Sequence, residues 1–216
     1  MGTVFRVGQA RDGSVIWLWG GPSTGKSSIA RAIQRLGALD GAWLHAGDEH
    51  LRRQLPPGLI VTTDPTADPA SSRQGWLIPV RDGIVVGRPQ AGPVAMRVLD
   101  GMYRAVAGLA TAGNNVVLDD VVWDHRVAEL AVNALQTIDA LIVHVQCEMA
   151  TSVARERARP DRFNGAVVAY ANGPRAVDSF DVAVDTTSRA PSECATVILE
   201  HWRHTRHGTA MERLRR

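Results

Sequence analysis

The chain has 216 residues, of which 45% are hydrophobic and 21% charged, and its formal net charge at pH 7 is +2. This composition excludes a disordered chain, and the near-balanced charge gives no electrostatic reason to expect a nucleic-acid partner. No apolar run approaches the roughly 20 residues of a membrane span, and residues 1–13 lack the layout of a signal peptide. We therefore expect one cytoplasmic domain, residues 1–216, with buried free thiols at Cys147 and Cys194 and no membrane or nucleic-acid partner. A homo-oligomer is compatible with the sequence.

Short apolar runs alternate with helical patterns along the chain, which is typical of a parallel sheet covered on both faces. The predicted strands are 14–19, 42–46, 115–122, 139–147 and 180–186. The predicted helices are 26–37, 93–111, 125–136, 148–158 and 192–204. This order predicts an α/β fold whose core is a five-stranded parallel sheet with helices on both faces.

Two segments interrupt the alternation. Residues 55–74 are rich in Pro, Thr, Asp and Ser and predict a long loop, and residues 76–87 predict a hairpin insertion that turns at Asp82 and Gly83. Both would lie over the carboxyl ends of the strands, where such folds bind ligands. Residues 205–216 are predicted to form a frayed, solvated tail.

The stretch GGPSTGKSS matches the phosphate-binding pattern G-x-x-x-x-G-K-[ST] between a predicted strand and a predicted helix. Lys26 is the only lysine among 24 Lys and Arg residues. A compact ammonium can reach the β- and γ-phosphates where the broad fork of arginine does not fit, and the glycines let backbone N–H groups point at phosphate oxygens. The predicted ATP or GTP site comprises Gly20, Gly21, Pro22, Ser23, Thr24, Gly25, Lys26, Ser27 and Ser28.

The predicted strand 115–122 carries Asp119 and Asp120 near its end. In P-loop proteins an acid at this point holds Mg²⁺, together with the hydroxyl at the position of Ser27. The alternative is a strand-end acid that only starts a turn. The sequence does not decide which of the two carboxylates contacts the metal.

Basic residues cluster in RERARPDRF, which follows the fourth predicted strand. Arg155 and Arg159 are one helical turn apart, and Arg162 follows after a proline. These three residues predict a mobile arginine lid, at about 155–165, that closes on the transferring phosphoryl group. A solvated charged face is the alternative.

The phosphate motif alone does not choose between a kinase, a GTPase switch and a motor. The guanine-reading N/T-K-x-D motif is absent, because the one lysine is already placed in the phosphate motif. The chain is also too short to hold the second module of a helicase or a transporter. The remaining layout of core, lid and substrate loops is that of a small kinase.

Five blocks resemble the chloramphenicol phosphotransferase family: GGPSTGKSS, HAGDEH, VVLDDV, RERARPDR and FDVAVDTT, which together span about residues 15–200. The resemblance implies a P-loop nucleotide-kinase-like fold and phosphorylation of a hydroxyl on a small antibiotic by ATP and Mg²⁺, which inactivates the antibiotic and confers resistance. It also implies that Asp48 is the general base and that Asp185, Thr186 and Thr187 lie near the adenine.

The position of Asp48 just beyond a predicted strand end agrees with this role. A carboxylate there could accept the proton of an attacking hydroxyl, or orient that hydroxyl for in-line transfer. The alternative is a helix N-cap before EHLRRQL.

The acceptor side resembles the family in layout rather than in detail. Chloramphenicol is the leading candidate acceptor, and a nucleoside antibiotic or another hydroxylated metabolite is the alternative. A metabolic kinase with an anionic acceptor would need a basic pocket, and a nucleotide-sensing regulator would bind ATP without turnover. The candidate acceptor contacts are Trp43, Asp48, Trp76, Arg81, Arg97, Tyr103, Asp120 and Trp123.

Overall fold

The computed structural model describes residues 12–52, 55–56, 58–64, 74–159, 163–173, 176–205 and 208–214. In chain order the strands are β1 (Ser14–Trp19), β2 (Trp43–Gly47), β3 (Ile60–Thr63), β4 (Trp76–Arg81), β5 (Ile84–Val85), β6 (Gln90–Ala91), β7 (Asn115–Asp120), β8 (Asp139–Gln146) and β9 (Val182–Asp185). The helices are α1 (Lys26–Leu36), α2 (Asp48–Arg52), α3 (Pro93–Thr111), α4 (His125–Ala134), α5 (Met149–Arg157), α6 (Ala166–Ala171), α7 (Pro191–Thr205) and α8 (Ala210–Leu214).

The main sheet has the order β2-β7-β1-β8-β9, and every neighbouring pair is parallel. The five predicted core strands and five predicted helices are all present, with ends within about two residues of the predicted bounds. The prediction of a five-stranded parallel sheet is therefore confirmed.

Strand β1 shows why the sheet is covered on both faces. Its side chains alternate, so that Trp17 and Trp19 pack toward α3 and α4, whereas Ile16 and Leu18 pack toward α1 and α7. All six residues of the strand are buried. A strand with two buried faces reads as a continuous apolar run, which is the pattern of VIWLW.

The parallel arrangement also positions the site. Because all five strands run in one direction, their carboxyl ends meet at one edge of the sheet. The phosphate loop after β1, Asp48 after β2 and the acids at the end of β7 are thereby brought to the same edge.

The predicted loop 55–74 is wrong in part, because Ile60–Thr63 form β3, which pairs parallel with β4. Strand β4 also pairs antiparallel with β5 and β6, so a second, small sheet stands beside the main one. The hairpin is confirmed: Asp82 and Gly83, with φ of 51° and 76°, form its turn.

The predicted frayed tail is wrong for Ala210–Leu214, which form α8. Ala210 and Met211 are buried, and the Ala210 N–H donates to Asp181 Oδ1 at 2.8 Å, so burial and a specific cap hold this helix. Both cysteines are free thiols; Cys194 is buried as predicted, whereas Cys147 is only half-buried.

Every helix among the described residues is too short or too polar to span a membrane.

Candidate active site

The turn between β1 and α1 wraps around the Lys26 ammonium. Lys26 Nζ donates to the carbonyl oxygens of Gly20 at 2.9 Å and Gly21 at 2.8 Å, and the residue is only 5% exposed. Gly25 has φ 94°, a left-handed conformation that suits glycine, and the chain turns there directly into α1. The N-terminus of α1, with its partial positive charge, therefore adjoins the cleft that Lys26 lines.

This cleft has a volume of 380 Å³. Of the residues predicted to bind ATP, those that line it are Pro22, Ser23, Gly25, Lys26, Ser27, Ser28 and Thr186. Gly20, Gly21 and Thr24 instead line a cavity behind the loop. The Thr24 hydroxyl donates to the Gly21 carbonyl at 2.9 Å, which stiffens the loop from that side.

The predicted lid arginines differ in how they are held. Arg155 is held against the segment after β9, because its guanidinium donates to Thr186 Oγ1 at 3.0 Å and to the Thr186 carbonyl at 2.7 Å; the mobility of the lid stays a prediction. The Thr186 hydroxyl in turn donates to the Thr24 carbonyl at 2.7 Å, which ties Arg155 to the phosphate loop. Arg159 is exposed and lines the cleft, and Arg162 lies outside the described residues.

The segment predicted near the adenine contributes only Thr186 to the cleft lining. The carboxylate of Asp185 accepts the Thr187 N–H at 2.8 Å, and Thr187 Oγ1 accepts the Glu148 N–H at 2.8 Å, so both side chains are engaged in the turn. Arg189, a residue that the sequence analysis missed, also lines the cleft. Its only sequence signal was its position just beyond the VDTT block.

Asp119 is on the cleft side of β7. Its Oδ2 lies 3.3 Å from His45 Nε2. Burial by itself raises the pKa of Asp119, but the hydrogen bond with His45, the charge of Lys26 and the Ser27 hydroxyl together hold that pKa below its usual value. Asp119 is therefore ionised at neutral pH beside Ser27, a pair of oxygen donors that fits Mg²⁺ bound to substrate phosphates.

Asp120 lines a different cavity, because successive side chains of a strand point to opposite faces. It is 1% exposed, and its Oδ2 accepts a hydrogen bond from the Tyr103 hydroxyl. Burial, followed by the negative charge of Asp48, raises the pKa of Asp120 to about 7. Burial and Asp120 likewise raise the pKa of Tyr103 well above its usual value. Two acids that are adjacent in sequence thus lie in different environments.

The cavity that Asp120 lines has a volume of 430 Å³ and mainly apolar walls. We call it the acceptor cavity. Strands β3 to β6 supply one wall, and the segment after β7 supplies another. Its large apolar lining residues are Leu51, Ile60, Trp76, Ile78, Val85, Leu99, Trp123, Val127 and Phe163. Its charged lining residues are Asp48, Glu49, Arg52, Asp120, Asp124 and Glu156.

The predicted acceptor contacts fall into two groups. Asp48, Trp76, Asp120 and Trp123 line the acceptor cavity, whereas Trp43, Arg81, Arg97 and Tyr103 do not. Trp43 is a core residue with its ring 5.0 Å from that of Trp202, and Tyr103 lies fully buried against Asp120. Arg81 pairs with Asp64 at 3.4 Å on the surface, and Arg97 is exposed on α3.

Asp48 is one of the residues at which the two spaces meet. It lines both the cleft and the acceptor cavity, at the first position of α2. Its Oδ2 lies 3.6 Å from Arg52 Nε. The close packing at this point depends on Gly47, because a Cβ there would lie 2.1 Å from the Asp119 carbonyl oxygen. Glu49 and Ser23 also line both spaces, and the sequence analysis singled out neither as an acceptor contact.

Two side chains that the sequence analysis missed support the acceptor side. Glu156 is 2% exposed, and its carboxylate accepts the N–H groups of Gly165 at 2.8 Å and Val167 at 3.0 Å, which holds α6 against α5. Arg88 donates to the carbonyl oxygens of Trp123 at 2.7 Å and Tyr170 at 2.9 Å. In sequence, both residues are indistinguishable from ordinary surface charges.

Known proteins share this arrangement. The family model described as chloramphenicol phosphotransferase-like protein matches residues 13–203. The chain belongs to this family. The match extends from β1 through most of α7, so the resemblance carried by five short blocks holds for nearly the whole described fold.

A mycobacterial protein is similar to this member of the chloramphenicol phosphotransferase-like family along almost its full length. It is named "Putative O-phosphotransferase Rv2636" of Mycobacterium tuberculosis (strain ATCC 25618 / H37Rv), and the two chains are 29% identical over 206 residues. The aligned region covers 95% of this chain and 89% of the relative.

Solved structures show the same fold at low sequence identity. The Mycobacterium tuberculosis APS kinase CysC, in complex with AMPPNP and APS, has a TM-score of 0.61 and 16% identity, over 89% of this chain and 98% of that chain. The Deinococcus radiodurans tunicamycin resistance protein has a TM-score of 0.50 and 14% identity, over 87% and 94%. The predicted P-loop kinase fold is confirmed, and family membership makes the chain an ATP-dependent phosphotransferase.

Proposed function

We propose that this phosphotransferase transfers the γ-phosphoryl group of ATP to a hydroxyl of a small antibiotic held in the acceptor cavity, chloramphenicol being the first candidate. The observation that carries the proposal is the position of Asp48, which lines the phosphate cleft and the apolar cavity at once. A hydroxyl that enters from the cavity would meet the end of a triphosphate beside this carboxylate. In-line transfer needs that meeting of acceptor, carboxylate and phosphate.

The phosphate side would be bound by Lys26, the backbone of the phosphate loop and the arginines around the cleft. Lys26 is already aligned by two carbonyl oxygens, so little reorganisation is needed when it turns to a phosphate. Arg155 and Arg159 would contact the transferring phosphoryl group or the adjacent phosphates. Arg162, which lies outside the described residues, is proposed for the same role. Arg189 is added because it lines the same cleft.

Mg²⁺ would be held by Ser27 and Asp119, and when bound it would neutralise charge on the phosphate oxygens. The lowered pKa of Asp119 supports this choice over Asp120, because a hard cation prefers an ionised carboxylate. Asp120 is more suited to shaping the acceptor cavity.

Asp48 would accept the hydroxyl proton or orient the hydroxyl. An ordinary aspartate is a weak base, so orientation carries much of the effect, and the proton leaves as the bond to phosphorus forms. The pairing with Arg52 positions the carboxylate at the start of α2. Asp48 can begin helix α2 and also act on the hydroxyl, so the two roles are compatible.

The charge of the acceptor cavity favours a neutral acceptor. Its described lining carries one guanidinium, that of Arg52, and five carboxyl groups, one of which, Asp120, is partly protonated at neutral pH because its pKa is about 7. A phosphorylated or carboxylated metabolite would be repelled there, which argues against a kinase of the nucleotide or shikimate type. A hydroxylated molecule with an aromatic or aliphatic body would instead match the apolar wall.

The test is an ATP-consumption screen of the purified full-length chain against hydroxylated antibiotics, with chloramphenicol, nucleoside antibiotics and simple hydroxylated metabolites in one panel. We expect acceptor-dependent ATP loss, together with a phosphate adduct of the acceptor in mass spectrometry. Adducts formed only with a metabolite would move the assignment to the alternative acceptor class. ATP binding without turnover on any acceptor would favour a nucleotide-binding regulator and contradict the proposal.

A further inference from the structure

Thr186 lies where three parts of the phosphate site meet. It is the first residue after β9, it is only 3% exposed, and its N–H donates to the Gln146 carbonyl at the end of β8 at 2.9 Å. Its hydroxyl donates to the carbonyl of Thr24 in the phosphate loop at 2.7 Å, and the same oxygen accepts Arg155 Nη1 of α5 at 3.0 Å. One buried hydroxyl therefore connects the phosphate loop, the sheet and the helix that carries the lid arginines.

Within the described chain, Thr186 supplies the strong contacts of Arg155. Besides the bond to the hydroxyl, Arg155 Nη2 donates to the Thr186 carbonyl at 2.7 Å. The other contact runs from Arg155 Nη1 to Cys147 Sγ at 3.3 Å, and sulfur is a weak acceptor. A guanidinium has five N–H donors, so these three contacts hold it in place and leave donors for a ligand.

The guanidinium held in this way lies beside the phosphate loop. Arg155 is half-buried and lines the phosphate cleft together with Lys26. A Cβ on Gly25 would lie 3.7 Å from Arg155 Nη1, so the guanidinium packs against the loop one residue before Lys26. A second cation is thus placed next to the ammonium that the phosphate motif provides.

We propose that Thr186 is a positioning residue of the nucleotide site, whose hydroxyl fixes the Arg155 guanidinium before the nucleotide arrives. A free arginine side chain loses much rotamer freedom when it binds a ligand, whereas one that is already held loses little. The role rests on the proposed function, in which Arg155 contacts the phosphates of ATP. It assigns to this threonine of the VDTT block an action through Arg155, which is distinct from the expected proximity to the adenine.

The first test is isothermal titration of the full-length chain with AMPPNP in the presence of Mg²⁺. Thr186→Val removes the hydroxyl at nearly constant volume and should raise the Kd for AMPPNP by at least about 5-fold. Thr186→Ser restores the hydroxyl and should stay within about 2-fold of the wild-type Kd. Thr196→Val is the matched control, because the Thr196 hydroxyl also donates to a backbone carbonyl, at 3.0 Å, but at an exposed site on α7. It should leave the Kd unchanged.

A double-mutant cycle separates an action through Arg155 from a general loosening of the phosphate loop. Arg155→Met removes the guanidinium and should by itself raise the Kd for AMPPNP by at least about 10-fold. In that background Thr186→Val should add less than about 2-fold, because the arginine that the hydroxyl positions is gone. The loop keeps the contacts of Lys26 with the Gly20 and Gly21 carbonyls in both variants.

A variant on the arginine side keeps the test decisive if melting curves show that Thr186→Val does not fold. Arg155→Lys retains the charge, but a single ammonium on a shorter stem cannot make the paired contacts with the Thr186 hydroxyl and carbonyl. It should raise the Kd for AMPPNP by at least about 3-fold, and a wild-type Kd in this variant would overturn the proposal.

The proposal is also overturned by a wild-type Kd in folded Thr186→Val, by equal losses in Thr186→Val and Thr186→Ser, or by a loss that persists in full in the Arg155→Met background. Each titration measures nucleotide binding alone, so failure of transfer to an antibiotic would leave these results interpretable. A wild-type chain that does not bind AMPPNP would instead overturn the proposed nucleotide site, and the role of Thr186 with it.

Discussion

At the scale of single residues, Lys26 is specified by the shape of its surroundings as much as by its charge. The ammonium sits under the loop between two carbonyl oxygens and is almost fully buried. Lys26→Arg keeps the charge but enlarges the head group, so we expect kcat/KM for phosphoryl transfer to fall by at least about 10²-fold. Isothermal titration with AMPPNP measures nucleotide binding, and an ATP-consumption assay measures turnover. Arg189→Lys is the matched control and should lose much less; equal losses would contradict the argument.

The proposed role of Asp48 as general base can be tested with Glu49, the adjacent carboxylate, as the control. Both line the cleft and the acceptor cavity, but only Asp48 follows directly on β2. Asp48→Asn should lower kcat by about 10²-fold or more and leave the Kd for AMPPNP nearly unchanged. Glu49→Gln should change kcat by only a few-fold. Similar losses in the two variants would mean that the charge of the region matters rather than the position of residue 48.

Asp120 makes a prediction about pH in metal-free protein. Its pKa of about 7 lies above the usual value for aspartate, so between about pH 4 and pH 7 the folded state binds a proton that the unfolded state has released. The free energy of unfolding should therefore fall as pH rises through that window, by roughly 2–4 kcal/mol for this group. Urea unfolding at pH 5 and pH 8 measures the change. Asp120→Asn should reduce this dependence of the free energy of unfolding on pH. An unchanged dependence in that variant would refute the assignment of the pKa of about 7 to Asp120.

At the scale of elements, α6 depends on a carboxylate from another helix. Glu156 on α5 accepts two N–H groups at the start of α6. Glu156→Ala leaves both unpaired and should lower the free energy of unfolding by roughly 1–3 kcal/mol. It should also raise KM for the acceptor, because Ala166 of α6 lines the acceptor cavity.

Urea unfolding and acceptor kinetics are the measurements for Glu156→Ala. Glu193→Ala is the control, since Glu193 also accepts a backbone N–H, from Ala190 at 2.7 Å, but at an exposed site. The control should be less destabilised and should keep its acceptor KM. An equal effect on stability would show that burial of the cap is unimportant.

The elements that sequence analysis predicted are those with a long local signal. Strand β1 is a continuous apolar run and α3 is a long amphipathic helix, so each is specified by its own residues. Strand β3 has only four residues, and its pairing with β4 is set by tertiary contacts across a Pro- and Thr-rich segment. Helices α6 and α8 are too short to show a helical hydrophobic periodicity in the sequence. They form because partners such as Glu156 and Asp181 cap them.

The same distinction holds for the site. The phosphate loop was predicted from its motif, Asp48 from the family resemblance, and the β7 acids from their place at a strand end. The structure places all of them at the carboxyl edge of the parallel sheet. Arg81 and Arg97 were offered as acceptor contacts, but the direction of a side chain on a hairpin or helix depends on packing that one sequence does not display. Glu156 looks like an ordinary surface charge in sequence, and Arg189 had only its position beyond the VDTT block, so neither could be assigned a role before the packing was known.

At the scale of the whole molecule, the described lining of the phosphate cleft has four basic and three acidic side chains, whereas that of the acceptor cavity has one basic and five acidic side chains. This difference predicts that an acceptor carrying a carboxylate will have a KM at least about 10-fold above that of its neutral amide. Steady-state kinetics with such a matched pair, taken from any acceptor that the screen identifies, measure the ratio. The ratio should shrink as salt is added, because ions screen the repulsion. A ratio near one, or one insensitive to salt, would count against an electrostatic origin.

The small sheet has a consequence for acceptor preference. Strands β3 to β6 all come from the chain between α2 and α3, whereas the lining of the phosphate cleft comes from the ends of β1, β2, β7, β8 and β9 and the segments that follow them. Mutations in that one interval are expected to reshape one wall of the acceptor cavity and to leave the lining of the phosphate cleft unchanged. A chimaera that carries this interval from a relative is therefore expected to change acceptor preference while keeping nucleotide affinity.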